Sequence, residues 1–364
     1  MKREILIALL ALIVFPLGAQ NVEKKDTVNY GRTLTDYVSK PKVGGYFIGY
    51  YKYSDLETAH GGDGFNARLV RAYIDGSVLK DFNYRFQVEF NKTVHLKDAF
   101  IEWARFKEFK VKFGQYKRAF TFENPYNPWD VGVGDYSQLV KKLAGFSDYT
   151  ATEYSGSNGG RDIGLQFQGD LFPVGNDKHR LIHYQLAVYN GQGINVADAD
   201  DKKDLIGTLQ VQPVKDLYLG VFGWKGYYTS NGVTVERNRY AVGAKYEHNG
   251  WSARAEYAHH KGQKIADYEV VDGVAVLKST ASNGLADAWY ATIGVPFTDW
   301  FKCYVKYDVY RDGANSDGMK SIYSVAPNFQ PHKNLLFQLQ YNYVDDHVLG
   351  KKYNEIWAQA YIRF

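Results

Sequence analysis

From residue 43 to the last residue, the chain repeats one theme: about ten residues of alternating character, then a turn. In residues 83–91, Tyr84, Phe86, Val88 and Phe90 alternate with Asn83, Arg85, Gln87, Glu89 and Asn91. The same period of two runs through residues 239–247, 251–257 and 337–343. It places one set of side chains on each face of a strand. A slip of one residue would invert both faces, so the pattern sets register as well as strand type. Strands that cross a membrane need about 9–11 residues and show lipid one side chain and water the next. A soluble sandwich alternates too, with its polar face outward. The alternation alone does not say which way that face points, so the two ends of the chain and the loops must decide.

The only long apolar run lies at the start. Lys2 and Arg3 precede an apolar stretch from Ile5 to Leu17, and Gly18-Ala19-Gln20 offers a small residue for cleavage. The run is too short for a transmembrane helix and suits a secretory signal peptide over residues 1–19. Loss of Lys2, Arg3 and Glu4 would take the formal charge from +4 to +3, two basic residues against one acidic. Residues 20–42 are polar and aperiodic and read as a periplasmic N-terminal extension. Residues 43–364 read as the barrel. One cysteine, Cys303, allows no intramolecular disulfide and reads as a small apolar residue on a strand.

Tight turns are expected at Lys80-Asp81, Phe106-Lys107, residues 213–215, Asn249-Gly250, Phe297-Thr298 and around Pro331. Longer polar connections are expected at residues 54–64, 119–159, 191–202, 229–236, 262–285, 312–318 and 345–352. Short turns at one end and long loops at the other are the asymmetry of an outer-membrane barrel. Counting between the turns predicts an all-β, transmembrane antiparallel barrel of about 16 strands, wide enough for an aqueous channel. In the last segment Ile356, Ala358, Ala360, Ile362 and Phe364 alternate with Trp357, Gln359, Tyr361 and Arg363. An aromatic final residue on the apolar face resembles the C-terminal assembly signal of bacterial outer-membrane proteins.

Particular runs carry a family resemblance. Residues 68–76 (RLVRAYIDG) followed by 84–90 (YRFQVEF) resemble the early hairpin of the phosphate-selective porin O and P family. Residues 96–101 with 111–120, and then 161–169 with 186–191 and Lys203-Asp204, are similar to its later segments. The resemblance spans roughly residues 43 to 364 and is strongest from 66 to 213. It implies a sixteen-stranded, homotrimeric outer-membrane porin for small anions such as phosphate, with a long third loop folded into the pore. That loop would be residues 119–159, too long for an ordinary turn. It carries Phe120, Pro125, Tyr126, Pro128 and Trp129, which suit packing against a wall, and Lys141 and Lys142 near its middle.

A pore discriminates ions by the charges at its narrow part. With the polar faces taken as lumenal, the candidate anion-binding residues are Arg71, Arg85, Lys112, Arg118, Arg237, Arg239, Lys245, Arg254, Lys302 and Lys306, joined by Lys141 and Lys142 from the loop. Acids on the same faces are Asp75, Glu89, Glu102, Glu247, Glu256 and Asp308. The cations outnumber them, which predicts a modest anion preference. The bland alternative is pairing along the wall: Arg85 with Glu89, Lys245 with Glu247, Arg254 with Glu256. Arg68 and Arg71 are three apart and face opposite ways in a regular strand, so either a bulge turns both inward or one sits at the rim.

No cofactor, metal or nucleic-acid partner is expected. Residues 195–204 resemble a calcium loop only loosely and lack its central Gly and terminal Glu. His259 and His260 point to opposite faces of a strand. Two other functions compete with an ion channel: a sugar channel using lumenal rings such as Trp357 and Tyr361, and an outer-membrane barrel enzyme with a Ser/His or Asp/His set at its rim.

Overall fold

The computed structural model describes residues 38–56, 63–91, 94–151, 159–230, 232–264, 268–271, 274–277 and 284–364. The predicted signal peptide and most of the extension lie outside the described residues. The first half of the wall comprises β1 (Lys42–Ser54), β2 (Gly64–Val78), β3 (Phe82–Glu89), β4 (His95–Trp103), β5 (Lys110–Lys117), β6 (Arg161–Val174), β7 (His179–Tyr189) and β8 (Asp204–Val214). It continues with β9 (Leu217–Ser230), β10 (Val233–His248) and β11 (Trp251–Lys261). A separate hairpin of β12 (Tyr268–Val271) and β13 (Val274–Leu277) follows. The wall then closes with β14 (Leu285–Thr298), β15 (Phe301–Asp312), β16 (Met319–His332), β17 (Leu335–Asp346) and β18 (Lys351–Arg363). Each wall strand pairs antiparallel with its neighbours, and β18 returns to β1, with Tyr46 opposite Arg363 and Ser54 opposite Glu355. The result is a closed barrel of sixteen strands with no free edge.

Burial resolves which face is which. On β17, Gln338, Gln340, Asn342 and Val344 are buried, whereas Phe337, Leu339, Tyr341 and Tyr343 are 36–53% exposed. Polar inside and apolar outside is the reverse of a soluble sandwich and the arrangement of a barrel in lipid. Outward aromatics form two rows. Tyr307, Tyr323 and Tyr343 contact in sequence across β15–β17, with centroids 4.8 and 6.2 Å apart. Trp300, Phe329 and Phe337 form the other row, at 5.3 and 6.4 Å, next to the short turns. Paired aromatic girdles of this kind mark the two interfaces of the apolar layer.

Most turns fall near the expected places, with three differences. The connection expected over 229–236 is strand, because Val233 and Val235 continue the inward alternation and only residues 231–232 separate β9 from β10. The turns expected at Phe297-Thr298 and Pro331 lie two residues further on, since a register irregularity after Pro296 and another after Phe329 let the strands continue. A turn at Gly175–Lys178, where Gly175 and Lys178 both take positive φ, joins β6 to β7 and was not among the expected ones.

Two irregularities reorient side chains. Ile48 pairs with Leu69 and Gly49 with Ala67, so Arg68 is the extra residue of a β-bulge. Gln87 pairs with Asp98 and Val88 with Leu96, so Lys97 is the extra residue of another. A bulge leaves one residue unpaired and re-aims it. Arg68 therefore joins Arg71 inside, and Lys97 is fully buried beside Asp98.

Candidate functional site

The connection from β5 to β6 holds the apolar core. Phe120, Phe122, Val131, Val133, Leu139, Val140 and Leu143 pack against inward residues of β7–β16, including Ala187, Ile206, Phe222, Trp224, Ala258 and Tyr290. Trp129 reaches the opposite side and packs with Tyr46, Ile48, Leu336 and Tyr361. Small wall residues under the loop make room for these side chains, as native packing density requires. A segment that touches the inward faces of so many strands lies within the barrel.

Wall side chains also secure the loop's backbone. Glu256 accepts from Phe122 N at 2.6 Å, Glu123 N at 3.0 Å and the Tyr290 hydroxyl at 2.6 Å. Asn328 and Gln338 donate to Gly132 O at 3.0 and 2.9 Å, and Gln340 accepts from Gly134 N. A six-residue helix, α1 (Gln138–Leu143), starts at Ser137, whose side chain accepts from Val140 N at 3.2 Å. Gln138 N donates to both Asp308 oxygens, at 3.0 and 3.1 Å. Such bonds satisfy loop amides that water cannot reach.

Around this loop the predicted cations divide into two groups. Eight are ion-paired: Arg71 with Glu89 (2.6 Å), Arg85 with Asp75 (2.7 Å), Lys112 with Glu102 (3.2 Å), Arg118 with Asp162 (2.7 Å), Arg237 with Asp204 (2.6 Å), Arg239 with Asp148 (2.7 Å), Lys306 with Asp308 (3.1 Å) and Lys141 with Asp135. The other four sit against rings. Lys142 lies over Tyr310, Lys302 over Tyr304, Lys245 over Tyr218, and Arg254 over Tyr126 while donating to Val131 O. The pairings expected along single strands do not occur. Glu89 is taken by Arg71 across the sheet, Glu247 accepts from the Tyr126 hydroxyl at 2.6 Å, and Glu256 holds the loop. Cross-strand neighbours and loop amides lie nearer than the residue two positions along the same strand.

Sequence reasoning also passed over several groups that matter. Lys117 Nζ donates to Asn124 O at 2.7 Å, Tyr126 O at 2.5 Å and the Tyr136 hydroxyl at 3.0 Å. Arg161 pairs with Asp98 at 2.6 Å, and Lys97 with Glu89 at 3.6 Å. Arg68, which the sequence left between a bulge and the rim, pairs with Asp135 at 2.5 Å. Burial opposes ionisation of Asp135, yet Arg68 and Lys141 hold its carboxyl well below the usual range. Arg239 does the same for buried Asp148. Burial, with Lys264 and Lys141 nearby, holds the Lys142 ammonium below the ordinary lysine value.

Two of the spaces that flank the loop hold most of the predicted cations. One, of about 240 Å³, lies between the β2–β7 wall and Pro125–Pro128. Six cations line it, Arg71, Arg85, Lys112, Lys117, Arg118 and Arg161, against one carboxylate, Asp98. The acids that pair with four of them, Glu89, Asp75, Glu102 and Asp162, do not line it. The other, of about 600 Å³, lies along β15–β18. It shows Lys52, Lys141, Lys142, Lys306 and Lys320 against Asp135, Asp308, Asp312, Asp346 and Glu355. Tyr361, proposed for a sugar path, is 1% exposed beneath Trp129, with the rings 5.7 Å apart. His259 and His260 do face opposite ways. His260 is buried, and Arg239 Nε donates to its Nδ1 at 3.0 Å, while the His259 ring lies beside outward Tyr240.

With that geometry in place, residues 44–216 match the family described as Phosphate-selective porin O and P. The match spans a little under half of the chain. No curated protein matches the chain. Among solved structures the chain is similar to an anion-selective porin from Comamonas acidovorans, with a TM-score of 0.65 at 10% identity, covering 89% of this chain and 99% of that one. It is also similar to the outer membrane channel DcaP of Acinetobacter baumannii (TM-score 0.60, 13% identity, 90% and 98% covered). A third is an in-vitro folded OmpT of Vibrio cholerae described as a trimer form (0.59, 12%, 90% and 100%). At such identities these likenesses speak for the fold of the chain.

Proposed function

We propose that this porin forms a water-filled channel in the bacterial outer membrane for passive diffusion of small anions such as phosphate. One observation carries the reading: the space beside the loop is lined by six cations and one carboxylate. Lining charge sets the sign of the ion that a pore admits. Arg71, Arg85, Lys112 and Arg118, with Lys117 and Arg161, form the discriminating wall. Arg239, Lys306 and Lys141 serve chiefly to fix the loop and balance the opposite side, and Arg237 ties the Gly191 and Tyr227 carbonyls and Asp204 together. Lys142, Lys245, Arg254 and Lys302 add positive field without a carboxylate partner among the described residues.

The rest of the reading follows from it. Residues 1–19 direct export, residues 20–42 extend into the periplasm, and the barrel works as a homotrimer, like the trimer form of its Vibrio cholerae neighbour. The channel acts without catalysis, because the lumenal carboxylates are engaged in holding cations and loop amides. Lipase and peptidase assays on the folded protein test that clause directly.

The decisive experiment is a planar bilayer recording in a KCl gradient, followed by addition of phosphate. An anion-side reversal potential with block by phosphate supports both the channel and its phosphate preference. Anion preference without block keeps the channel and removes phosphate. Cation preference overturns the charge argument, and folded protein without conductance overturns the channel.

A further inference from the structure

The space between the β2–β7 wall and the loop is larger and more varied than an inorganic anion needs. Its volume of about 240 Å³ is roughly eight times the ~30 Å³ share of one liquid water. Phosphate has five heavy atoms, so an oxyanion seated there leaves room for a body attached to it. The lining is chemically divided. Arg71, Lys112 and Arg161 lie on β2, β5 and the start of β6, whereas Gln166, Gln168 and Gln185 form an amide edge on β6 and β7.

The amides are held in place but not used up. Gln166 donates to Gln168 Oε1 at 2.6 Å, Gln185 donates to the same oxygen at 3.1 Å, and Gln168 donates to Glu102 at 2.6 Å. A carboxamide nitrogen carries two N–H groups and its oxygen two lone pairs. Each nitrogen commits one N–H within the wall, so each keeps one for a solute. The oxygens of Gln166 and Gln168 are taken by Tyr189, Gln166 and Gln185, so the row offers chiefly fixed N–H donors, spaced for several oxygens of a hydroxylated solute rather than for one small ion. Lys112 lies over Phe100 and Tyr116, at 4.8 and 5.4 Å, which keeps its ammonium next to two ring faces at the junction of the two halves.

We infer that the solute this space favours is a hydroxylated organic phosphate of about monosaccharide size, its phosphate on the Arg71–Arg161 side and its hydroxyls on the glutamine edge. The inference rests on the anion-channel reading. An anion porin built for phosphate alone would have no use for the amides, and a neutral-sugar channel would have none for the cations.

The test is current block of the reconstituted full-length porin by glucose 6-phosphate, inorganic phosphate and glucose at about pH 8, where both phosphates are mainly dianions. Half-block by glucose 6-phosphate at a concentration at least fivefold below that of inorganic phosphate, with no block by glucose, is the expected result. Gln185→Met, which keeps the side-chain length and removes the amide, should bring the two half-block concentrations together, and Gln166→Met should act in the same sense. Equal block by the two phosphates in the unaltered porin, or an unchanged ratio in both variants, overturns the inference. The reversal potential separates the two failures: a cation-side value removes the channel reading itself, whereas an anion-side value with equal block removes only the organic solute.

Discussion

The two spaces beside the loop have nearly the same number of cations, six against the β2–β7 wall and five along β15–β18, and differ in where the acids stand. Against the first wall one acid meets the space: Glu89 and Asp162 are buried, and Asp75 and Glu102 face the adjoining space with Arg85 and Lys112. Along the second, Lys52 and Glu355 (2.6 Å), Lys306 and Asp308, and Lys320 and Asp346 (2.9 Å) all line the same opening. A pair that presents both members to solute cancels its own field within a few ångströms. A pair that presents only its cation does not. Counting charged residues cannot separate the two arrangements, and ionic selectivity depends on the separation.

The largest expected effect comes from freeing the loop that divides these spaces. Asp148→Asn removes the carboxylate from buried Arg239, and breaking one member of a buried pair costs about 3–5 kcal/mol. The variant should unfold at lower denaturant in detergent and show larger, noisier single-channel currents. Wild-type values for both would mean that the pair does not hold the loop. Because Asp148 titrates below the usual carboxylate range, its stabilisation is complete above the unfolded value and fades only as pH falls through the depressed folded one. Loop docking should therefore survive acidification to about pH 4.

A second test sets one space against the other. Arg71→Gln, at a cation whose partner Glu89 does not line the space, should lower the anion-to-cation permeability ratio by roughly fivefold, the effect of about 1 kcal/mol from one unit charge at 4 Å in water. Lys320→Gln, on the balanced side, should change it by about twofold or less, as solvated pairs do. Equal shifts in reversal potential would break the comparison.

The smallest effect belongs to Lys142. Its ammonium is held below the ordinary lysine value by burial and by Lys264 and Lys141, so it loses its proton before a lysine of ordinary pKa as pH rises. Anion preference should decline modestly on the way to pH 10, and Lys142→Gln should remove that part of the decline. An identical pH profile in the variant would mean that this amine does not contribute to the pore's field.

Strand type, register and approximate strand number were legible in the sequence because the period of two is a property of the local chain. Phe337, Leu339, Tyr341 and Tyr343 alternate with Gln338, Gln340 and Asn342 whatever surrounds them. The candidate cations were legible as a set for the same reason, and each of Arg71, Lys112, Arg239 and Lys306 is on the inward face. Lys117 and Arg161 were not, because both stand at strand ends next to the loop, where alternation no longer governs direction. Lys97 was hidden by a bulge, and Arg68 stayed undecided until the register showed one.

The sequence by itself therefore determined that the chain makes an alternating, barrel-type wall and which of its strands carry charge. The tertiary structure alone decided that the polar face is the inner one, that two bulges turn extra cations inward, and which acid neutralises which base. The physical reason is range. Alternation is set by each residue's own backbone, whereas a carboxylate behind Arg71 or beside Lys306 is placed by a neighbouring strand or a loop that only closure of the barrel brings near.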